Sequence, residues 1–209
     1  MNNQEQITAI KNDGEALNQA IEKLKTKYSY EGSILRLKAN LEYIVNKFGG
    51  VDNVKGKRVL DLGCGHTLDK ESQDILKETK RNPYRSKLLK ERGSYDTLIE
   101  GIPRMYEPWL CRALLELGAH PVGIDIGDLG SEEFEHYQLD LSKEGALDFL
   151  PDKSFDFIVS EVFGSSPQLE MMTTTQDRVS LGDKLKEQVK RLLKDGGQTS
   201  FQDFFGENS

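Results

Sequence analysis

The sequence predicts an α/β fold: a doubly wound, mostly parallel sheet with helices on its faces and an N-terminal helical cap. Three observations predict it. Short apolar runs alternate with amphipathic stretches from Arg58 onward, the pattern that parallel strands and their crossover helices leave in a sequence. The first of those runs, Arg58-Val59-Leu60-Asp61-Leu62, ends on Gly63-Cys64-Gly65, a tight turn where backbone can approach a ligand closely. Ahead of it, residues 1–50 carry their apolar side chains at helical spacing.

Taken in order, Ile7, Ile10, Leu17, Ile21 and Leu24 form one helical stripe, which Gly14 weakens, and Ile34, Leu35, Leu37, Leu41, Ile44, Val45 and Phe48 form a second. The pair either packs on the sheet or caps the ligand pocket. Gly49-Gly50 stops the second helix. The strand Arg58 to Leu62 follows, and the next helix runs from Glu107 to Gly118, with Pro108 suited to its first turn and Gly118 to its end. The remaining strands are Pro121 to Asp125, His136 to Asp140, Phe155 to Ser160 and Gln198 to Phe204. Before the last of them, Leu185, Val189, Leu192 and Leu193 mark an amphipathic helix that stops at Gly196-Gly197. In such a sheet ligands bind at the carboxyl ends of the strands, where Gly63, Asp125, Asp140 and Glu161 fall. Asp125, closing Pro121-Val122-Gly123-Ile124-Asp125, stands where the ribose of a bound nucleoside needs an acceptor for its two hydroxyls.

Composition narrows the classes. A chain of 209 residues suits one domain with a full core, and no apolar run approaches the length of a membrane span. The polar start, Met1-Asn2-Asn3-Gln4-Glu5-Gln6, does not read as a signal peptide. Two cysteines, Cys64 and Cys111, without paired spacing, point away from a disulfide framework or a metal site and toward a reducing cytoplasm. A formal charge of -7 opposes general nucleic-acid binding and favours small-molecule or protein partners.

With Asp61-Leu62-Gly63-Cys64-Gly65 and Pro121-Val122-Gly123-Ile124-Asp125 quoted, the chain resembles the class I S-adenosylmethionine (SAM) dependent methyltransferases, from about Arg58 to about Phe205. Leu192-Leu193-Lys194-Asp195-Gly196-Gly197 matches the family's helix-to-strand turn before the fifth strand. The resemblance implies a Rossmann-like methyltransferase fold, SAM as cofactor, and a division into a cap (1–50) and a SAM-binding domain (51–209). It also implies roles for residues. Gly63 and Gly65 leave room for the methionine portion of SAM, backbone around Cys64 binds its ammonium and carboxylate, and Asp61 holds the ammonium or orders the loop. Asp125 takes the ribose, Asp140 the adenine amine, Leu141 supplies backbone, and Ile126 forms an apolar wall for the ring. A nicotinamide-binding Rossmann domain would want G-x-G-x-x-G, and the third glycine position here is Leu68.

Two features depart from the family pattern. An insertion from His66 to Tyr106 sits at the mouth of the pocket, as a lid, a substrate platform or a neutral loop. Its core carries Lys77, Lys80, Arg81, Arg85, Lys87, Lys90 and Arg92, either a solvated helix face or an attractant for an anionic acceptor. The family's further helix and hairpin are not seen before Ser209, and a bare apolar edge near Phe201 and Phe204 invites association; a dimer, packing by the N-terminal helices or a shortened end would each explain it.

For methyl transfer the protein mainly aligns donor and acceptor and removes a proton where the acceptor needs it. Glu161, directly after the fourth strand, is the first candidate for base or substrate contact, and His66 the second. The family's Asn/Asp-Pro-Pro-aromatic signature is replaced by Ser160-Glu161-Val162-Phe163, which argues against amino groups of bases and glutamine as acceptors. His120 and His136 read as structural; Arg104, Tyr106 and Trp109 meet ligand or sit in core and surface. The expected activity is methyl transfer to a small-molecule acceptor. The competing class is a non-catalytic nucleoside-binding protein that regulates or assembles with a partner.

Overall fold

Neighbouring parallel strands need a crossover between them, and the helices that make it cover both faces of the sheet, so the central strands must be apolar on both sides. A computed structural model shows this arrangement. It describes residues 3–28, 35–67, 107–160 and 175–200, with side chains over 12–28, 37–67, 107–160 and 182–200. Helices α1 (Asn3–Tyr28) and α2 (Leu35–Phe48) precede β1 (Arg58–Leu62); α3 (Trp109–Glu116), β2 (His120–Asp125), β3 (Glu135–Gln138), β4 (Phe155–Val159), α4 (Thr175–Leu192) and β5 (Leu193–Thr199) follow. The sheet order is β3-β2-β1-β4-β5, and every pairing is parallel. Strands step one way from β1 to β3 and the other way from β1 to β4. The order therefore reverses between β1 and β4, and it is at the carboxyl ends of the strands beside such a reversal that open α/β sheets take ligands.

Alternation along the strands fills a core on each face. On one, Val59, Phe157 and Val159 pack with Leu17, Ile21 and Leu24 of α1, Leu41, Ile44 and Val45 of α2, and Leu110, Ala113 and Leu114 of α3. On the other, Leu60, Leu62, Val122, Ile124 and Ile158 pack with Leu185, Val189 and Leu192 of α4 and with Leu147 and Leu150. Of the two readings of the N-terminal helices, packing on the sheet is the one this core displays. Helix α1 runs through Gly14, whose missing side chain faces open space.

Glycines end two helices by the same device. After α3, Gly118 (φ 79°) and Ala119 donate to Leu115 O at 2.9 Å and Leu114 O at 3.0 Å; after α2, Gly49 (φ 76°) and Gly50 donate to Asn46 O and Val45 O. Each is a Schellman stop, which needs a left-handed residue after the last turn. Pro108 lies at the N-cap of α3, just outside the helix.

Several boundaries differ from the sequence reading: α3 spans Trp109–Glu116 within the expected Glu107 to Gly118, β4 ends at Val159 rather than Ser160, and α4 ends at Leu192, before Gly196-Gly197. Strand β3 spans Glu135–Gln138, ending before Leu139 and Asp140, and β2 begins one residue early at His120. The larger correction is β5, which starts at Leu193 rather than Gln198. Phe155 pairs with Leu193 but Phe157 with Gln198, so the segment Lys194 to Gly197, with Gly196 at φ 79°, is an irregularity inside the strand, not a turn before it. Across the same shift Phe155 and Phe157, two residues apart, lie in opposite cores, against the simple alternation of a regular strand. At the amino edge, the Asp156 carboxylate accepts from Arg58 N–H at 2.9 Å and Lys194 Nζ at 2.7 Å, joining β1, β4 and β5. Among the described residues no helix is long and apolar enough to cross a membrane.

Candidate functional site

At the carboxyl end of β1 the chain turns through Gly63 (φ 73°) and Gly65 (φ 90°), left-handed conformations that glycine adopts without steric cost. Gly63 N–H and Cys64 N–H both reach Ile124 O, at 2.8 and 3.1 Å, so the turn stays bonded to β2. Gly63, Cys64 and Gly65 are all buried. Beneath them lies Asp61, 2 % exposed, with Cys111 Sγ of α3 at 3.7 Å from its Oδ2. Burial, with Asp61 adding to it, pushes the Cys111 thiol well above its usual range. Gly123 of β2 makes room here: a Cβ would stand 2.7 Å from Phe134 Cε2 and 2.8 Å from Cys64 Sγ.

Asp125, the last residue of β2, is the hub. Its Oδ2 accepts Gly65 N–H at 2.8 Å, and its Oδ1 accepts Gly127 N–H at 3.0 Å and His66 Nδ1 at 2.7 Å. A carboxylate only accepts, so the imidazole donates through Nδ1. Burial works to raise the Asp125 carboxyl, but the His66 bond and the N–H groups of Gly127 and Gly65 outweigh it and hold the group below the ordinary aspartate range. The His66 ring lies against Gly127, where a Cβ would come 2.0 Å from its Cγ and Cδ2. The carboxylate thus unites the β1 turn, the residue after it and the β2 exit.

Ile126 is next, a large apolar side chain 46 % exposed beside the buried carboxylate. Gln138 Nε2 donates to its carbonyl at 3.1 Å, and Leu139 N–H to Asp125 O at 2.7 Å, which brings the exits of β2 and β3 together. Asp140 follows, with Oδ1 accepting Ser142 N–H at 2.9 Å and Ser142 Oγ at 2.6 Å. That hydroxyl, with help from Ser142 N–H and Lys143, keeps the Asp140 carboxyl low. The Leu141 side chain belongs to the second core, so only its backbone is available to a ligand. Ser160, at the exit of β4, is fully buried, and its hydroxyl finds no partner among the described residues.

The structure therefore gathers Asp61, Gly63, Cys64, Gly65, His66, Asp125 and Ile126 at the β1 and β2 exits, with Asp140 and Leu141 just past β3. Glu161, the insertion beyond Thr67 with its basic core, Arg104 and Tyr106 lie outside the described residues. Trp109 is in the core, edge-on to Tyr28 with ring centroids 5.7 Å apart. His136 Nδ1 bonds Phe134 O, and His120 is exposed at the amino edge.

Sequence reasoning missed two features. Arg112, 5 % exposed, forks onto Glu132 at 2.6 and 3.0 Å, bonds Glu107 at 2.7 Å, and stacks over Tyr28 and Trp109 at 4.0 and 4.6 Å. It ties Glu107, just ahead of α3, to the β2–β3 connection. An arginine inside the apolar run Trp109 to Leu115 was the available signal. The other is Gly127, whose role as a seat for His66 has no local signature. Among the described residues no cluster of three His, Cys, Asp or Glu could hold a metal. The chain matches no protein-family model and no curated protein.

Proposed function

We propose that this protein binds SAM at the carboxyl edge of its sheet and transfers the methyl group to a small-molecule acceptor. One observation carries the reading: the carboxylate ending β2 is hydrogen-bonded to the glycine turn ending β1, beside the point where strand order reverses. A diol acceptor and a side-chain-free cradle are thereby one rigid unit. The residues fit a nucleoside with an amino-acid tail. Gly63 and Gly65 offer backbone at close range, Asp61 supports the turn from below, Asp125 receives the ribose, and exposed Ile126 offers an apolar surface for the ring. Asp140 would receive the adenine amine and Leu141 backbone would complete that edge.

Bound SAM would supply a methyl group already activated by the sulfonium. The chain's own task is then alignment, with Glu161, by its place in sequence after β4, taking the acceptor's proton where one must leave. The basic segment Lys77 to Arg92 favours an anionic acceptor, and the acidic whole disfavours nucleic acid.

The experiment is a thermal shift followed by turnover. S-adenosylhomocysteine at 100 times its dissociation constant should stabilise the fold by about 2.7 kcal/mol, or roughly 5–10 °C for a domain of this size. NAD should do far less. A larger shift with NAD overturns the assignment. Incubation with labelled SAM and a metabolite extract then separates an enzyme from a binding protein, which would bind without transferring label.

A further inference from the structure

A carboxylate offers about four acceptor positions, and three of those on Asp125 are filled, by Gly65 N–H, Gly127 N–H and His66 Nδ1. A ribose brings two hydroxyl donors. One present donor must therefore leave before both hydroxyls can bind. Gly65 and Gly127 donate from the backbone, the first inside a turn bonded to β2 and the second two residues past its end. Only the imidazole hangs on a rotatable side chain.

We infer that His66 is an internal occupant of the diol site, closing the Asp125 carboxylate in the unliganded chain and swinging out when a ribose enters. The inference rests on the proposed nucleoside site and adds its regulation. The contact has a built seat. The imidazole lies over Gly127 at a distance that any side chain there would forbid, and only 15 % of its surface and 11 % of the carboxylate's reach solvent. A protein whose binding-competent state is a minor fraction binds its ligand more weakly by that fraction. Where the closed form outweighs the open one tenfold, His66 lowers nucleoside affinity about tenfold.

Calorimetric titration of the full chain tests this, with S-adenosylhomocysteine, adenosine and 2′,3′-dideoxyadenosine as probes. His66→Ala should bind the first two about tenfold more tightly than the native chain, with no gain for the dideoxy compound, which lacks the diol. Gly127→Ala keeps the imidazole but evicts it from its seat, and should reproduce the gain. If S-adenosylhomocysteine binds and His66→Ala binds it no more tightly, the inference fails while the methyl-donor reading stands. If adenosine shows the gain and S-adenosylhomocysteine does not bind, the methyl-donor reading fails and the inference stands. No binding of any probe to any of the three proteins overturns both.

Discussion

Asp125→Ala removes the acceptor of three hydrogen bonds in one step. Were Asp125 a ligand contact alone, its removal would leave the melting of the unliganded chain almost unchanged. The three bonds predict otherwise. Gly65 is buried, so its N–H loses its partner with no water to replace it, at about 1–3 kcal/mol. Gly127 and His66 are only partly buried, so water recovers much of what they lose. The sum is on the order of 2–4 kcal/mol, and a domain of this length loses roughly 2–4 °C per kcal/mol. Melting of the ligand-free variant, followed by circular dichroism or calorimetry, should therefore fall by roughly 5–15 °C. Asp125→Asn keeps one carbonyl acceptor and should fall by less. In both variants nucleoside affinity should drop at least about tenfold, or 1.4 kcal/mol. A ligand-free Asp125→Ala protein melting within about 1 °C of native would refute the reasoning, because three bonds to a buried charge cannot vanish at so small a cost.

The same carboxylate predicts a pH dependence. Its folded-state value lies below the unfolded one, so its contribution is fully present above about pH 4 and is lost as pH falls through the folded value. Urea melts from pH 6 downward should show the gap between native and Asp125→Asn holding steady and then closing only below about pH 4; a gap that widens there contradicts the assignment. Arg112→Ala strands Glu132 and Glu107, whose side chains are 3 % and 10 % exposed, and should cost about 3–5 kcal/mol in chemical denaturation. Arg112→Lys should recover only part of this, since a single ammonium cannot reproduce the fork. Gly123→Ala drives a methyl group into Phe134 and Cys64 and should cost about 1–3 kcal/mol; a neutral result would mean that this corner of the core is loosely packed.

The sequence by itself determined the elements and their direction. Apolar runs ending on Gly63 and Asp125, and the glycines at 49 and 118, are local signals, because strand burial and helix termination depend on residues within a few positions of one another. The boundaries of β1 and the chain positions of α1, α2 and α3 were legible for that reason. Tertiary structure decided what depends on residues far apart in the chain. The start of β5 followed from its pairing with β4, since a strand can absorb Lys194 to Gly197 as an irregularity only when a neighbour holds both sides. Arg112 became a clamp because Glu132, twenty positions away, folds back beside it. His66 and Asp125 are each unremarkable in the sequence and 59 positions apart. Parallel β1 and β2, in register from Arg58 with His120 to Leu62 with Ile124, bring their exits side by side, and that alignment turns a carboxylate and an imidazole into one contact.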